Sequence, residues 1–300
     1  MSPQLVLVLV ALFGGYLARR LGRFPENASD VLNRFVIDVC LPAMILRVLP
    51  ALKMRWDVLV LVITPWTLAA IAWLLSRLLA RLCRFDRATS AALFLCLALG
   101  NTSFLGFPLC AAVLGEEAIP LAAVYDQLGS FLMLCTIAPV VLARASGART
   151  INPRETVGKV LTFPPFLALL LSLLPLPAHP AWLDAVLQAL SNALVPVAMF
   201  AVGLRLRITP PPQRLAFGLG LGIKLLLLPA CALGISLLAG ASGMVRAVAV
   251  LESAMPAMIT AGALAMSAGI APELAAALVG YGILLAQVTV PLWGVLLRSL

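Results

Sequence analysis

Charge is what this chain has least of. Of its 300 residues only 11% are Asp, Glu, Lys or Arg, and His179 is the single histidine. A soluble domain carries about 25% charged residues, so this composition excludes a chain that covers its own surface with ions. The six cysteines, Cys40, Cys83, Cys96, Cys110, Cys135 and Cys231, show no CxxC spacing and no histidine partners. That argues against a metal centre or a disulfide framework and leaves small apolar packing as the reading for each thiol. No HExxH, no GxSxG and no paired-aspartate motif for metal–diphosphate chemistry occurs. The chain therefore reads as a non-enzyme, and no cofactor is expected.

What fills the sequence is hydrocarbon: 63% of residues are hydrophobic and the mean hydropathy is +1.09. The apolar runs are long and unalternating, which suits helices of about 20 residues and not the short alternating strands of a barrel. The expected fold class is an all-α polytopic membrane protein. Punctuation places ten transmembrane helices near 3–18, 31–49, 58–80, 90–113, 118–142, 157–174, 186–204, 213–239, 245–267 and 274–297. The opening run has no basic residue before it and Arg19 and Arg20 after it, so it reads as a retained span and not a cleaved signal peptide. Short loops on one side hold fourteen basic residues against five on the other, with the C-terminus counted among the five. The bias predicts an inner (plasma) membrane protein with both termini outside. It also accounts for the net charge of +9 as loop signals facing lipid headgroups, so no nucleic-acid partner is expected.

Five helices precede the basic linker 146–154 and five follow it, giving one repeat over 1–145 and a second over 155–300. An odd number of spans per half makes the halves enter the membrane in opposite senses, an arrangement common in transporters. Prolines recur at matching places: Pro42 and Pro196, Pro108 and Pro256, Pro139 and Pro291, separated by 154, 148 and 152 residues.

Two stretches interrupt otherwise acceptable spans. "GNTSFLGFPLC" (100–110) places Asn101, Thr102, Ser103 and Pro108 inside helix four, and "ESAMPAMITAGA" (252–263) places Glu252, Ser253, Pro256 and Thr260 inside helix nine. A proline lacks the N–H that closes the bond four residues back, and irregular backbone persists at membrane depth only when it is buried in protein or lines a wet cavity. Each break makes a half-helix N-terminus that suits an anion and a C-terminus whose carbonyls suit a cation. A relieved proline kink is the alternative for either break taken alone.

The segments "GNTSFLGFPLCAAVLGEEAIPLAAVYDQLGSF" and "ESAMPAMITAGALAMSAGIAPELAAALVGYGILLAQVTVPLW", with "LPAMIL" in helix two, resemble the auxin efflux carrier family, which includes bacterial members assigned to export of malonate and similar acids. The resemblance implies a five-plus-five inverted repeat in which helices four and nine cross at their proline breaks, an architecture related to bile acid/sodium symporters. It implies secondary transport of a small organic anion by alternating access, with Asn101, Pro108 and Pro256 at the crossing. It further implies that helices one, two, six and seven form a scaffold or dimer face, which leaves a homodimer open. The central loop is short, as in bacterial members, so an auxin substrate is not supported.

Four ionisable residues fall within predicted spans, where a lysine or aspartate at a helix centre costs about 2.5–3.5 kcal/mol. Lys224 either attracts the anion, exchanges partners with a carboxylate, snorkels, or pairs with Asp38, Asp126 or Glu252. Asp126, beside Gln127, can carry a coupling proton or make a structural hydrogen bond. Glu252 can do either or belong to an outer vestibule, and Asp38 shapes a gate or bonds between helices. Carbonyls with Asn101, Gln127 and Glu252 could instead coordinate sodium, making the chain a sodium- or proton-coupled uptake symporter. Gly218, Gly220 and Gly222 read as a small-residue packing face.

Overall fold

The computed structural model describes residues 3–52, 55–146, 153–174, 179–208, 213–241 and 243–299. The middle of the expected linker, 147–152, lies outside the described residues, as does Lys53 among the loop charges. The described chain is helical throughout and contains no named strand, only one isolated β-bridge between Gly100 and Ala257. Among the described residues six helices are long and apolar enough to cross a membrane: Pro3–Arg20, Trp56–Leu82, Glu116–Ala145, Ala181–Arg205, Arg214–Leu238 and Pro272–Arg298. Other apolar segments are broken into shorter pieces, among them Arg87–Ala98 followed by Thr102–Leu114, and Gly243–Ser253 followed by Ile259–Ser267.

The chain forms two compact units, each drawing segments from both sequence halves. The first comprises 1–54, 103–123 and 157–206. In it Pro3–Arg20 lies along Leu194–Arg205, main chain against main chain, because a Cβ on Gly15 would collide with the Phe200 carbonyl and one on Gly203 with that of Leu12. Small residues at a crossing are how helices gain packing energy when lipid offers no hydrophobic drive. Arg19 closes that pair by donating to the Leu206 carbonyl at 2.7 Å, and Ser29 donates to the Ala201 carbonyl at 3.0 Å. At the other end of this unit Arg47 reaches Gln188 at 2.7 Å and Asp184 at 3.3 Å, while a ring nitrogen of His179 meets the Leu46 carbonyl at 3.0 Å.

The second unit comprises 55–102, 124–156 and 207–300. Its core is built around Arg87–Ala98, with Leu93, Leu95 and Leu97 packed among Leu274, Leu278 and Val250. Of the expected glycine face only Gly220 is a tight contact: its Cβ would stand 2.8 Å from Leu278 and 3.0 Å from Leu93, whereas Gly218 and Gly222 face open space.

Among the described residues four short segments widen into π-helix: Val36–Cys40, Thr102–Gly106, Asp126–Phe131 and Ile223–Leu227. Three of them end two residues before a proline, at Pro42, Pro108 and Pro229. The pyrrolidine ring removes one donor and crowds the carbonyl four residues back, and a wider turn absorbs both effects. For Pro229 the displaced acceptor is the Leu225 carbonyl, which takes a hydrogen bond from the Trp293 indole at 3.0 Å. Asp38, Thr102, Asp126 and Lys224 all lie in these widened turns.

Candidate functional site: two joined helix breaks

Every residue from Ala92 to Thr102 and from Ala247 to Ile259 is buried. An apolar helix buried on all faces belongs to a protein interior, and here that interior holds two breaks in regular structure. The first helix stops at Ala98, and Leu99 is extended (φ −100°, ψ 105°). The second stops at Ser253 and resumes at Ile259, after Met258 in an extended conformation (φ −63°, ψ 130°). The two breaks touch. Gly100 and Ala257 pair in an antiparallel bridge, with Asn101 N–H donating to the Pro256 carbonyl at 2.8 Å and Met258 N–H donating to the Leu99 carbonyl at 2.9 Å. Backbone groups that helix geometry would leave orphaned are thus satisfied by each other, each bond worth about 0.5–1.5 kcal/mol net.

The breaks create four helix ends, and at three of them one of the chain's own side chains is hydrogen-bonded. At the carbonyl end of Arg87–Ala98, the Lys224 ammonium donates to the Leu97 carbonyl at 2.9 Å. At the amino end of Thr102–Leu114, Thr102 donates its hydroxyl to Asp126 Oδ1 at 2.5 Å, and Asp126 Oδ2 accepts from Gln127 Nε2 at 2.7 Å. At the carbonyl end of Gly243–Ser253, the Ser253 hydroxyl donates to the Val250 carbonyl at 2.7 Å. The fourth end, the N-terminus of Ile259–Ser267, has no side-chain cap. Its first N–H groups carry the positive end of the helix dipole, and Thr260 beside them is exposed.

Among the described residues here, Asn101 Nδ2, a donor, and Gln127 Oε1, an acceptor, are buried polar atoms with no hydrogen-bond partner. They belong to the sequence neighbours of the bonded pair Thr102 and Asp126. Unpartnered buried polar groups cost about 1–3 kcal/mol each, so a water or another polar group bound here would relieve that cost. The adjoining cavity is lined by Gly100, Thr102, Tyr125, Lys224, Glu252 and Ser253, with room for about one water molecule. A carboxylic acid larger than water would require its walls to move.

Of the residues singled out in the sequence, Asn101, Thr102, Ser253, Pro256, Lys224, Asp126, Gln127 and Glu252 are buried in the second unit, and Thr260 lies at its exposed helix end. Ser103 and Pro108 fall in the first unit, Pro108 in the opening turn of Phe107–Leu114. Asp38 also belongs to the first unit, where it is exposed and pairs with Arg34 at 3.3 Å. Tyr125 is one site residue that the sequence reading did not single out; it is buried and shares the cavity with Glu252. Gly100 is the other: a Cβ there would lie 3.3 Å from Lys224 Nζ and 3.7 Å from the Glu252 carbonyl oxygen.

An all-helical, strongly apolar chain whose interrupted helices meet in a buried polar core is a multi-pass membrane protein of the transporter class. The model of the membrane transport protein family matches residues 1–160 and 149–294, and the chain belongs to that family, the auxin efflux carriers. It is 30% identical over 299 residues to an "Uncharacterized transporter" of Methanothermobacter thermautotrophicus, covering 97% of this chain and 96% of that relative. It is 27% identical over 277 residues to a second "Uncharacterized transporter", from Methanocaldococcus jannaschii, covering 85% of each. A "Putative malonate transporter" of Rhizobium meliloti is 27% identical over 217 residues, 66% of this chain and 64% of that protein.

Proposed function

We propose that this transporter is a secondary carrier that moves a small organic anion, a mono- or dicarboxylate, across the cytoplasmic membrane by alternating access, with efflux as its direction. Ten spans in two inverted halves, both termini outside, cross at 99–101 and 254–258. The observation that carries this reading is the asymmetry of the crossing: a side chain is hydrogen-bonded at three of the helix ends, and none caps the N-terminus of Ile259–Ser267. A substrate carboxylate takes the first N–H groups of Ile259–Ser267, the Thr260 hydroxyl and the donor Asn101 Nδ2, which lacks a partner. The name of the Rhizobium relative supports a dicarboxylate. Because the cavity is too small for such a molecule, the reading requires the packing around the crossing to open, and substrate can drive that only through its different affinity for the open and closed packings.

The test is uptake of labelled mono- and dicarboxylates into proteoliposomes under imposed pH, sodium and voltage gradients. Asn101→Leu and Thr260→Val each remove a hydrogen bond to a charged group, about 1.5–3 kcal/mol, and are expected to lower flux at least about tenfold. Wild-type flux in both variants takes the anion away from the crossing, and failure to move any carboxylate removes the substrate class.

A further inference from the structure

We propose that the Lys224 ammonium is a built-in cation, occupying the carbonyl end of the first break so that the carrier cycles without binding sodium.

The end of Arg87–Ala98 gathers the negative pole of a helix dipole at carbonyls that have no helical N–H left to meet them. Leu95 is met by Leu99 N–H and Leu99 by Met258 N–H, and the Leu97 carbonyl accepts from Lys224 Nζ at 2.9 Å. The ammonium is held by a main-chain carbonyl, an oxygen of the kind that also holds an alkali cation, and Thr102, Ser253 and Glu252 line the same cavity as Lys224. Lys224 is only 6% exposed, reaching in from the widened turn Ile223–Leu227. Glycine at position 100 lets the head group approach the main chain this closely, since a Cβ there would stand 3.3 Å from Nζ. A sodium ion would seek the same carbonyl, in a space with room for about one water, beside a like charge in a medium that screens poorly. The ammonium and the ion exclude each other.

Thermal unfolding of the full chain in detergent, in sodium chloride against choline chloride at equal ionic strength, tests this without any substrate. Wild type is expected to unfold at the same temperature in both salts. Lys224→Ala and Lys224→Gln empty the position and are expected to be less stable in choline and to recover by about 2 °C or more in sodium, as a site filled by mass action does. Lys224→Arg, which keeps a fixed cation, is expected to stay indifferent to sodium. Sodium stabilisation of wild type overturns the proposal, and so does the absence of any sodium response in both neutral variants, whether they are folded or not. The inference adds to the carrier reading but its test is separate. A sodium response confined to the neutral variants stands even if no carboxylate is transported, and a failed sodium arm leaves the anion site untouched.

Discussion

Removing the indole of Trp293 should expose a backbone debt created by Pro229. The ring of Pro229 denies the Leu225 carbonyl its helical donor, and Trp293 Nε1–H supplies the substitute at 3.0 Å from another helix. Trp293→Phe keeps an aromatic ring and deletes the donor. Interhelical hydrogen bonds in membrane proteins average about 0.6 kcal/mol and reach about 1.7, whereas a buried polar group left with no partner costs about 1–3. Leu225 is buried, so the upper part of the first range applies, about 1–1.5 kcal/mol. For a chain of this size that is a fall in unfolding temperature of a few degrees, about 2–4 °C per kcal/mol. Lost packing would lower it too, so the informative quantity is a double-mutant cycle with Pro229→Ala. Alanine restores an N–H that can bond Leu225 within the helix, so Trp293→Phe should cost less in that background by about 1 kcal/mol. The assay is thermal unfolding of the four proteins in one detergent. Equal costs of Trp293→Phe with and without Pro229 would refute the link between the two residues.

Further outcomes follow from local geometry. Gly218→Ala, facing open space, should stabilise its helix by about 0.5–1 kcal/mol, while Gly220→Ala, pressed between Leu278 and Leu93, should be neutral or destabilising; unfolding temperatures of the two rank them. Asp86 caps the Arg87–Ala98 helix, accepting from Thr89 N–H at 2.7 Å, so Asp86→Ala should cost about 1 kcal/mol at neutral pH. Hydrogen bonding from Thr89 lowers the pKa of Asp86 below its ordinary carboxylate value. Its contribution is therefore full above the unfolded value near 3.9 and is lost as pH falls through the lower folded value. The gap between wild type and Asp86→Ala should close on acidification below about pH 4, and a gap that widens there contradicts the cap. Gly203→Val should prevent Pro3–Arg20 from seating on Leu194–Arg205, seen as loss of folded protein in size-exclusion profiles.

Much of this was legible in residues, and the limits are physical. Two proline-bearing polar interruptions stood out because lipid cannot satisfy free backbone groups, and the family followed from the segments around them. What periodicity could not reveal was which helix ends already held a side chain. For Lys224 the sequence supports attraction of an anion, exchange or pairing with a carboxylate, or snorkelling, whereas its hydrogen bond goes to the Leu97 carbonyl 127 residues away, a contact that only the folded chain creates. Asp38 looked like Asp126 in sequence, each an acid in a predicted span, but one pairs with Arg34 on an exposed face and the other accepts Thr102 in the core. The π-helical turns were half visible: the prolines announce three of them, while Asp126–Phe131 has no proline two residues on.

Cross-linking at the bridge tests most directly whether the two breaks meet. The six native cysteines are replaced first, so that only the introduced pair can react, and Gly100→Cys is combined with Ala257→Cys. In an antiparallel pair flanked, as here, by the two main-chain bonds, the facing Cα atoms stand about 4.5 Å apart, within the span a disulfide bridges. Oxidation of the folded, detergent-purified protein should join the two positions nearly completely, read as a single linked product after proteolysis between them. Cysteines that stay reduced in a protein that remains folded would mean that the helix breaks do not touch, and the anion site built on their contact would fall with them.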